Sequence, residues 1–222
     1  MKNLVKISML IGVLFMVSLY EMNAQITPES SVENIEYDDL GKALENPNKV
    51  YRLNLSNQNL KTLSDTIWSQ FENLEYLSLK NDHLTEIPAG IGNLKNLKVL
   101  DLSNNDFKVL PQSFSRLENL REIYLNDEKE IDLNQSLIAI KNLPNLRILH
   151  LENDNLENIP PSLLEFTQLE KLYLNKNSFN KIPNELKNLN NIKFIDFHDN
   201  KFNLNDHNFE SPFLGPGILI NL

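Results

Sequence analysis

The stretch "LEYLSLKNDHLTEIPAGIGNLKN", residues 74–96, is followed at once by "LKVLDLSNNDFKVLPQSFSRLEN", residues 97–119. Both stretches keep leucine or another large apolar residue at the same positions, while most of the polar letters change. This pattern indicates a repeated unit in which the apolar side chains are constrained by a shared core and the polar side chains face water.

The repeated unit can be written LxxLxLxxNxLxxIPxxIxxLxN, and the chain carries it in seven copies that remain in register. Successive copies are separated by 24, 23, 23, 26, 23 and 23 residues. The copies begin at Val50, Leu74, Leu97, Leu120, Leu146, Leu169 and Ile192. Self-similarity at such a period predicts a stack of structural repeats, each in contact only with its neighbours.

The spacing of the apolar letters indicates how one unit folds. Leu77 and Leu79 are two residues apart, so a β-strand places both side chains on one face. Leu84, Ile87 and Ile91 then point inward from the returning part of the coil. A single unit cannot bury so many apolar side chains, and stacked units therefore share one continuous core.

With this pattern the chain resembles leucine-rich repeat proteins from Val50 to about Phe202. An Ile-Pro step with an apolar residue three positions on, as in Ile87-Pro88 with Ile91, is similar to repeats of Ras-pathway scaffolds, plant disease-resistance proteins and secreted bacterial proteins. The resemblance implies an α/β leucine-rich repeat solenoid of about seven repeats. Its curved parallel β-sheet would form the concave face, with loops and short helical turns on the convex face.

Two features depart from the family pattern. The family's ladder-forming asparagine column reads Gln58, Asp82, Asn105, Glu128, Asp154, Asn177 and Asn200. An ionised carboxylate accepts but cannot donate, so we expect a weaker ladder at the three acidic positions. The fourth repeat lacks the proline and has three extra residues within "NDEKEIDLNQSL", residues 126–137. We expect a bulged surface loop there, with a binding loop as the alternative.

The segments outside the repeats predict the domain organisation. Residues 1–24 are read as a signal peptide, residues 25–49 as a polar linker and N-terminal capping helix, and residues 50–202 as the repeat domain. The helix is expected within residues 38–50 and before Pro47. Residues 203–222 are a C-terminal tail that could cap the last repeat.

Export is predicted from the first 24 residues. Lys2 and Lys6 precede an apolar run, residues 7–20, which is shorter than the roughly 20 residues that span a bilayer. Cleavage after Ala24 would leave Gln25 as the mature N-terminus, and the protein would be secreted, periplasmic or at the cell surface. N-terminal sequencing of the exported protein tests this. Intact Met1 on a membrane-bound chain would instead show an uncleaved anchor.

Composition and motifs argue against several classes of function. The net charge of −9 disfavours nucleic acid as a partner. The absence of cysteine excludes disulfides, thiolate metal sites and cysteine nucleophiles. The sequence has no Gly-rich phosphate loop and no GxSxG or HExxH string. We therefore expect no enzymatic activity, no catalytic or metal-binding residues and no cofactor.

The candidate binding residues lie on the outward positions of the predicted sheet. Tyr124, His150 and Tyr173 occupy one column on three consecutive strands, and Ile148 and Phe194 stand in the adjacent column. Clustered aromatic side chains supply large contact areas with few rotamers, so these five residues are the predicted partner-binding site. The alternative is that they pack on one another only to stabilise neighbouring strands.

The sequence thus favours an exported, non-catalytic leucine-rich repeat protein of bacterial type that binds a protein or peptide through its concave face. A second hypothesis is an envelope-associated structural or glycan-binding protein whose tyrosines stack on sugar rings. A third, signal transduction as an intracellular scaffold, applies only if the leader is not a signal. No stable membrane insertion is expected once the leader is cleaved.

Overall fold

The computed structural model describes residues 35–203 and 217–222. Within them, nine short strands form one parallel sheet, and each strand pairs with its neighbour in chain order. The strands are β1 (Glu36–Tyr37), β2 (Arg52–Asn54), β3 (Tyr76–Ser78), β4 (Val99–Asp101), β5 (Glu122–Tyr124), β6 (Ile148–His150), β7 (Lys171–Tyr173), β8 (Phe194–Asp196) and β9 (Leu219–Asn221). This order confirms the predicted solenoid.

The repeat period sets the register of the sheet. Leu77 on β3 is paired with Leu100 on β4, and Leu100 is paired with Ile123 on β5. These middle residues are fully buried, as are Leu79 and Leu102, two positions after the middle residue of their strands. The core is therefore a continuous column of aliphatic side chains behind the sheet, which places the first and third residues of each strand on the opposite, concave face.

Short 3₁₀ turns form most of the convex side. Four of them begin one residue after a proline of the Ile-Pro or Leu-Pro step, which fixes φ and needs no hydrogen-bond donor. The five-residue turns are Ala89–Asn93, Gln112–Arg116, Pro161–Glu165 and Asn184–Asn188. A shorter turn, Trp68–Gln70, lies in the first repeat, which lacks the proline.

Two glycines allow the convex turns of the first three repeats to approach closely. A Cβ atom at Gly90 would lie 2.0 Å from the Asp65 carbonyl oxygen, and one at Gly92 would lie 2.4 Å from that of Ser113. Neither distance is tolerable for a carbon atom, so the backbones can pack this tightly only where the side chain is absent.

The prediction of a bulged loop in the fourth repeat is wrong. Residues Leu133–Ile140 form an α-helix, α2, whose N-cap Asp132 accepts a hydrogen bond from the Gln135 amide at 2.9 Å. Eight residues of α-helix span about 12 Å, and a five-residue 3₁₀ turn spans about 10 Å. The three extra residues are therefore absorbed by the tighter rise of the α-helix.

Helix α2 is tied to both neighbouring repeats. The Leu110 amide donates to Ser136 Oγ at 3.1 Å, and the Ser162 amide donates to Asn134 Oδ1 at 3.1 Å. The helix thus takes the place that a 3₁₀ turn occupies in the other repeats and leaves the stacking intact.

The N-terminal end contains an element that the sequence did not predict. Helix α1 (Leu40–Glu45), capped by Asp39, lies in the segment where a helix was expected. However, Glu36–Tyr37, which was assigned to the polar linker, forms strand β1 and pairs with β2. The predicted signal peptide, the cleavage site and the rest of the linker up to residue 34 lie outside the described residues.

The C-terminal segment adds a strand to the sheet. Ile220 on β9 is paired with Ile195 on β8, so the last residues continue the repeat pattern. Residues 204–216 of the predicted tail lie outside the described residues. Neither α-helix within residues 35–203 and 217–222 has the length and hydropathy of a membrane-spanning segment.

The last asparagine of the repeat forms an amide ladder on the convex side. The Nδ2 atom of Asn96 donates to the Glu72 carbonyl oxygen at 2.8 Å, and Asn119 donates to Lys95 in the same way. Each bond joins one repeat to the preceding one, which explains why this letter recurs although its side chain is exposed.

A second ladder runs through the ninth position of the repeat. Asn105 accepts from the amides of Asp82 and Leu84, and its Nδ2 donates to the carbonyl oxygens of Leu79 and Leu102. Asn177 makes the same four kinds of bond three repeats further along. A buried asparagine at this position thus forms hydrogen bonds through both its side-chain oxygen and its side-chain nitrogen.

Each acidic side chain in this ladder forms a hydrogen bond through only one of its two carboxyl oxygens. One oxygen each of Asp82, Glu128 and Asp154 accepts a backbone amide of the preceding repeat, and the other oxygen has no partner. Burial raises the pKa of all three carboxyls, that of Glu128 to about 9 and that of Asp154 to about 8. Glu128 and Asp154 are therefore largely protonated at neutral pH.

Candidate binding face

The five predicted site residues lie together on the concave face of strands β5 to β8. Tyr124 is paired in register with His150, and His150 with Tyr173. The Tyr124 and His150 rings are stacked with centroids 3.8 Å apart, and the His150 and Tyr173 rings with centroids 4.3 Å apart. These three residues form a continuous stack, called the aromatic row below.

His150 is the buried centre of the aromatic row. The His150 side chain points to the concave side, but the two flanking rings cover it, so the residue is only 7% exposed. Its Nε2 lies 2.9 Å from Glu122 Oε1, and its Nδ1 lies 3.0 Å from Glu152 Oε2. Both ring nitrogens face carboxylate oxygens, which only the imidazolium form satisfies because only that form donates from both nitrogens.

The pKa directions agree with an imidazolium at this position. Burial alone would lower the pKa of His150, but its hydrogen bonds to Glu122 and Glu152 outweigh burial and raise it. The hydrogen bond from His150 in turn lowers the pKa of Glu122 despite the partial burial of that carboxyl. The Tyr124 hydroxyl also donates to Glu122 Oε1, at 2.6 Å. The polar groups at this end of the row are thus fully engaged with one another.

The apolar members of the site lie beside the aromatic row. Ile148 and Phe194 occupy the first position of strands β6 and β8, with Lys171 between them on β7. The Phe194 ring is 5.5 Å from that of Tyr173, with an angle of 58° between the planes. Leu219, which is paired with Phe194 and 68% exposed, continues this column on β9.

Leu219 was not predicted as a site residue. The string "GILINL", residues 217–222, has Ile220 and Leu222 at the spacing that Leu77 and Leu79 have in a full repeat. This spacing is the signal that could have identified an additional strand and placed Leu219 on the concave face. We call Ile148, Lys171, Phe194 and Leu219 the apolar stripe, counting the aliphatic part of the lysine.

Charged residues line the side of the sheet where the strands begin. Lys98 Nζ is 2.6 Å from Glu75 Oε1. Glu170 lies between Arg147, at 3.6 Å, and Lys193, at 2.6 Å. Arg121 occupies the equivalent repeat position between Lys98 and Arg147, but its side chain makes no hydrogen bond or ion pair within the described residues.

On the N-terminal half of the concave face, polar side chains are also bonded to one another. The guanidinium carbon of Arg52 lies 4.1 Å above the centre of the Tyr76 ring, and the same guanidinium is 3.0 Å from Glu36 Oε2. Glu36 accepts a further hydrogen bond from Asn54 at 3.0 Å. No group of three or more histidine or acidic side chains in residues 35–203 and 217–222 is arranged to hold a metal ion.

Comparison with known proteins identifies the repeat type. Residues 49–139 match the model of a leucine-rich repeat region, and residues 168–189 match that of a single leucine-rich repeat. No curated protein matches the chain.

Solved structures of leucine-rich repeat proteins resemble the chain as well. A leucine-rich repeat protein of Leptospira interrogans is 30% identical with a TM-score of 0.59, and the match covers 76% of this chain and 48% of that one. Human 5T4, a Wnt-activated inhibitory factor also named trophoblast glycoprotein, is 25% identical with a TM-score of 0.60. That match covers 69% of this chain and 61% of the 5T4 chain.

A third similarity concerns the fold alone. TLR13, solved in complex with ssRNA13, is 23% identical with a TM-score of 0.54, and the match covers 69% of this chain and 27% of that one. The chain therefore spans less than two thirds of each of these three proteins.

Proposed function

The chain is a leucine-rich repeat protein, and from this we propose that it is an exported, non-catalytic module that binds a protein or peptide partner on its concave face. Leucine-rich repeat proteins generally mediate protein–protein binding, whereas a fold by itself does not fix the partner or the site. The proposal for this chain therefore rests on its own side chains. Export is supported by the basic and apolar residues of the leader.

The observation that carries the proposal is the position of the aromatic row beside the apolar stripe. Tyr173, Ile148 and Phe194 are half-buried, so each retains surface that a partner could cover. The bonds of His150 to Glu122 and Glu152 hold the row in one conformation before any partner arrives. A rigid aromatic surface loses little conformational entropy on binding, which favours affinity.

Ring orientation favours a protein partner over a sugar. A sugar stacks on an exposed ring face, but the facing planes of Tyr124, His150 and Tyr173 are covered by one another at 3.8 and 4.3 Å. The row presents mainly ring edges to a partner. Ring edges suit edge-to-face contacts with aromatic and aliphatic side chains.

Partner binding should depend on Tyr173 and Phe194. Replacing both in Tyr173→Ala/Phe194→Ala should weaken binding of a captured partner by at least about 2 kcal/mol, or roughly 30-fold, because clustered aromatic residues dominate such interfaces. These two residues are preferable to Tyr124, whose hydroxyl bonds Glu122 and whose loss would disturb His150. The measurement is a pull-down from the native secreted environment, followed by titration of the isolated partner.

The matched control is Val109→Ala/Ile138→Ala, which removes two exposed apolar side chains away from the concave face. This variant should bind as the unchanged protein does. Circular dichroism should show that both variants are folded. Undiminished binding by the folded Tyr173→Ala/Phe194→Ala variant would place the site elsewhere, and the acidic segment 127–132 would then be the next candidate.

A further inference from the structure

A partner can most readily bond to polar side-chain groups that form no hydrogen bond or ion pair within the chain itself. Around the aromatic row, Tyr124 and His150 are hydrogen-bonded to Glu122 and Glu152. Asp196 accepts from the His198 amide at 3.1 Å and from Asn221 Nδ2 at 3.0 Å, and it lies 2.7 Å from His198 Nδ1. The carboxylates at this end of the concave face are therefore already paired.

Three side chains in this region whose polar groups have no partner are donors, and two of them are cations. Within the described residues, the ammonium of Lys171, the guanidinium of Arg121 and the hydroxyl of Tyr173 have no hydrogen-bond or ion-pair partner. Lys171 and Arg121 are both exposed. The exposed charged groups without a partner in this region are therefore cations, although the chain as a whole has a net charge of −9.

Of these groups, Lys171 belongs to the apolar stripe, and the other two lie outside its column. Lys171 begins β7 within this column, whereas Arg121 lies one residue before β5 and outside the column. Two strand spacings, roughly 10 Å, separate β5 from β7, and Ile148 begins the strand between them. Phe194 and Leu219 follow on the next two strands. Along the column of first strand residues, a partner segment would meet Glu122, whose carboxylate is already bonded to Tyr124 and His150, and then an aliphatic side chain, a cation and an aromatic ring.

Local charge should outweigh net charge at such a surface. At physiological ionic strength, charges more than about 8 Å away are largely screened, so a docked segment meets mainly the charges close to it. Of the carboxylates near Lys171, Glu122 is paired with His150 and Glu170 with Lys193. An exposed carboxylate of a partner could pair with Lys171 or Arg121 without displacing an existing bond. A cationic segment, by contrast, would have to compete with His150, His198 or the basic side chains already bound to the carboxylates.

We propose that the concave face of strands β5 to β9 binds an acidic peptide segment in which carboxylates alternate with apolar side chains. The carboxylates of the peptide pair with Arg121 and Lys171. Its apolar side chains pack on Ile148, Phe194 and Leu219. This inference rests on the proposed function, because it specifies the partner of the same face. It assigns Arg121, Lys171 and Leu219 to the site, none of which the sequence had singled out.

Selection from a phage-displayed library of random linear peptides against the chain beginning at Gln25 tests the inference without a known partner. The enriched peptides should combine aspartate or glutamate with aromatic or aliphatic residues. A synthetic peptide of the enriched sequence, measured by fluorescence polarisation, should bind at least 10-fold more weakly to Arg121→Gln/Lys171→Gln, and its affinity should fall with added salt.

The control is Lys181→Gln/Lys187→Gln, which removes the same charge at two exposed lysines in and just before the convex turn Asn184–Asn188. This variant should bind the peptide within about twofold of the unchanged protein, because screening limits the influence of remote charges. Equal losses in the two charge variants would overturn the inference, since net charge rather than the two named cations would then control binding.

The outcomes also separate this inference from the proposed function. The selection could enrich basic or uncharged peptides that bind the Tyr173→Ala/Phe194→Ala variant more weakly than the unchanged protein. That result would overturn the acidic partner while leaving the concave face as the site. Enriched peptides that bind Tyr173→Ala/Phe194→Ala undiminished would overturn both. A selection that yields no binding peptide would overturn the acidic linear segment as the partner class.

Discussion

Replacing Glu128 by glutamine and Asp154 by asparagine is expected to raise the free energy of unfolding at pH 8 by at least about 2 kcal/mol. The second oxygen of each carboxyl is buried without a partner. An amide nitrogen in its place could donate to carbonyl oxygens, as Asn105 Nδ2 does to those of Leu79 and Leu102. The amide also has no proton to lose, which removes the cost of keeping a buried carboxyl neutral.

The sign of the pH dependence follows from the raised pKa values. The ordinary pKa values are 4.5 for glutamate and 3.8 for aspartate, and the folded values are about 9 for Glu128 and about 8 for Asp154. Between these limits the folded state binds more protons than the unfolded state, so stability falls as pH rises. The contribution of the two groups is complete below about pH 4 and is lost as pH passes through 8 and 9.

Urea unfolding at pH 5 and pH 8 measures the effect. The unchanged protein should be more stable at pH 5, and Glu128→Gln/Asp154→Asn should reduce that difference by more than half. A residual dependence should remain because the pKa of His150 is also raised and acts in the same direction. Equal stability of the two proteins at pH 8 would show that water or a local rearrangement relieves the buried carboxyls.

Leu100→Ala should lower the free energy of unfolding by roughly 2–5 kcal/mol, because it removes buried methyl groups and leaves a cavity. Leu100 is fully buried at the centre of β4, with complete repeats on both sides. Neither neighbour can move into the space without breaking its own pairing. The loss should therefore lie in the upper part of this range.

The matched comparison is Asp101→Asn on the same strand. Asp101 faces the concave side, and its Oδ1 accepts from the Ser103 amide at 3.0 Å. Asparagine keeps that oxygen, so the change should stay within about 0.5 kcal/mol. Similar urea midpoints for the two variants would contradict the division into a buried and a concave face.

The sequence predicts the repeat stack well because one periodic pattern specifies both the local strand and its packing. Leu77 and Leu100 are repeat-equivalent in the sequence and neighbours in the sheet, so periodicity alone gives strand order and register. The fourth repeat was misjudged because α2 and a 3₁₀ turn span similar distances with different numbers of residues. Strand β1 was missed because Glu36–Tyr37 is too short to show a pattern.

The site was predictable in its placement but not in its chemistry. Equivalent repeat positions place Tyr124, His150 and Tyr173 in one column, as the sequence indicates. The bonds of His150 depend on Glu122 and Glu152, which lie in different columns of the repeat. Which charges pair and which remain unpaired is decided by side-chain reach across strands, and the sequence contains no periodic signal for it.

Helix α2 has a consequence for the curvature of the sheet. An α-helix is a wider element than the 3₁₀ turns that flank it. A wider element on the outer side of a stack opens the wedge between successive repeats and shortens the radius of the inner side. The bend should be sharpest at β5 and β6, where it would press the rings of the aromatic row together, so an insertion far from the concave face would shape the surface that a partner meets.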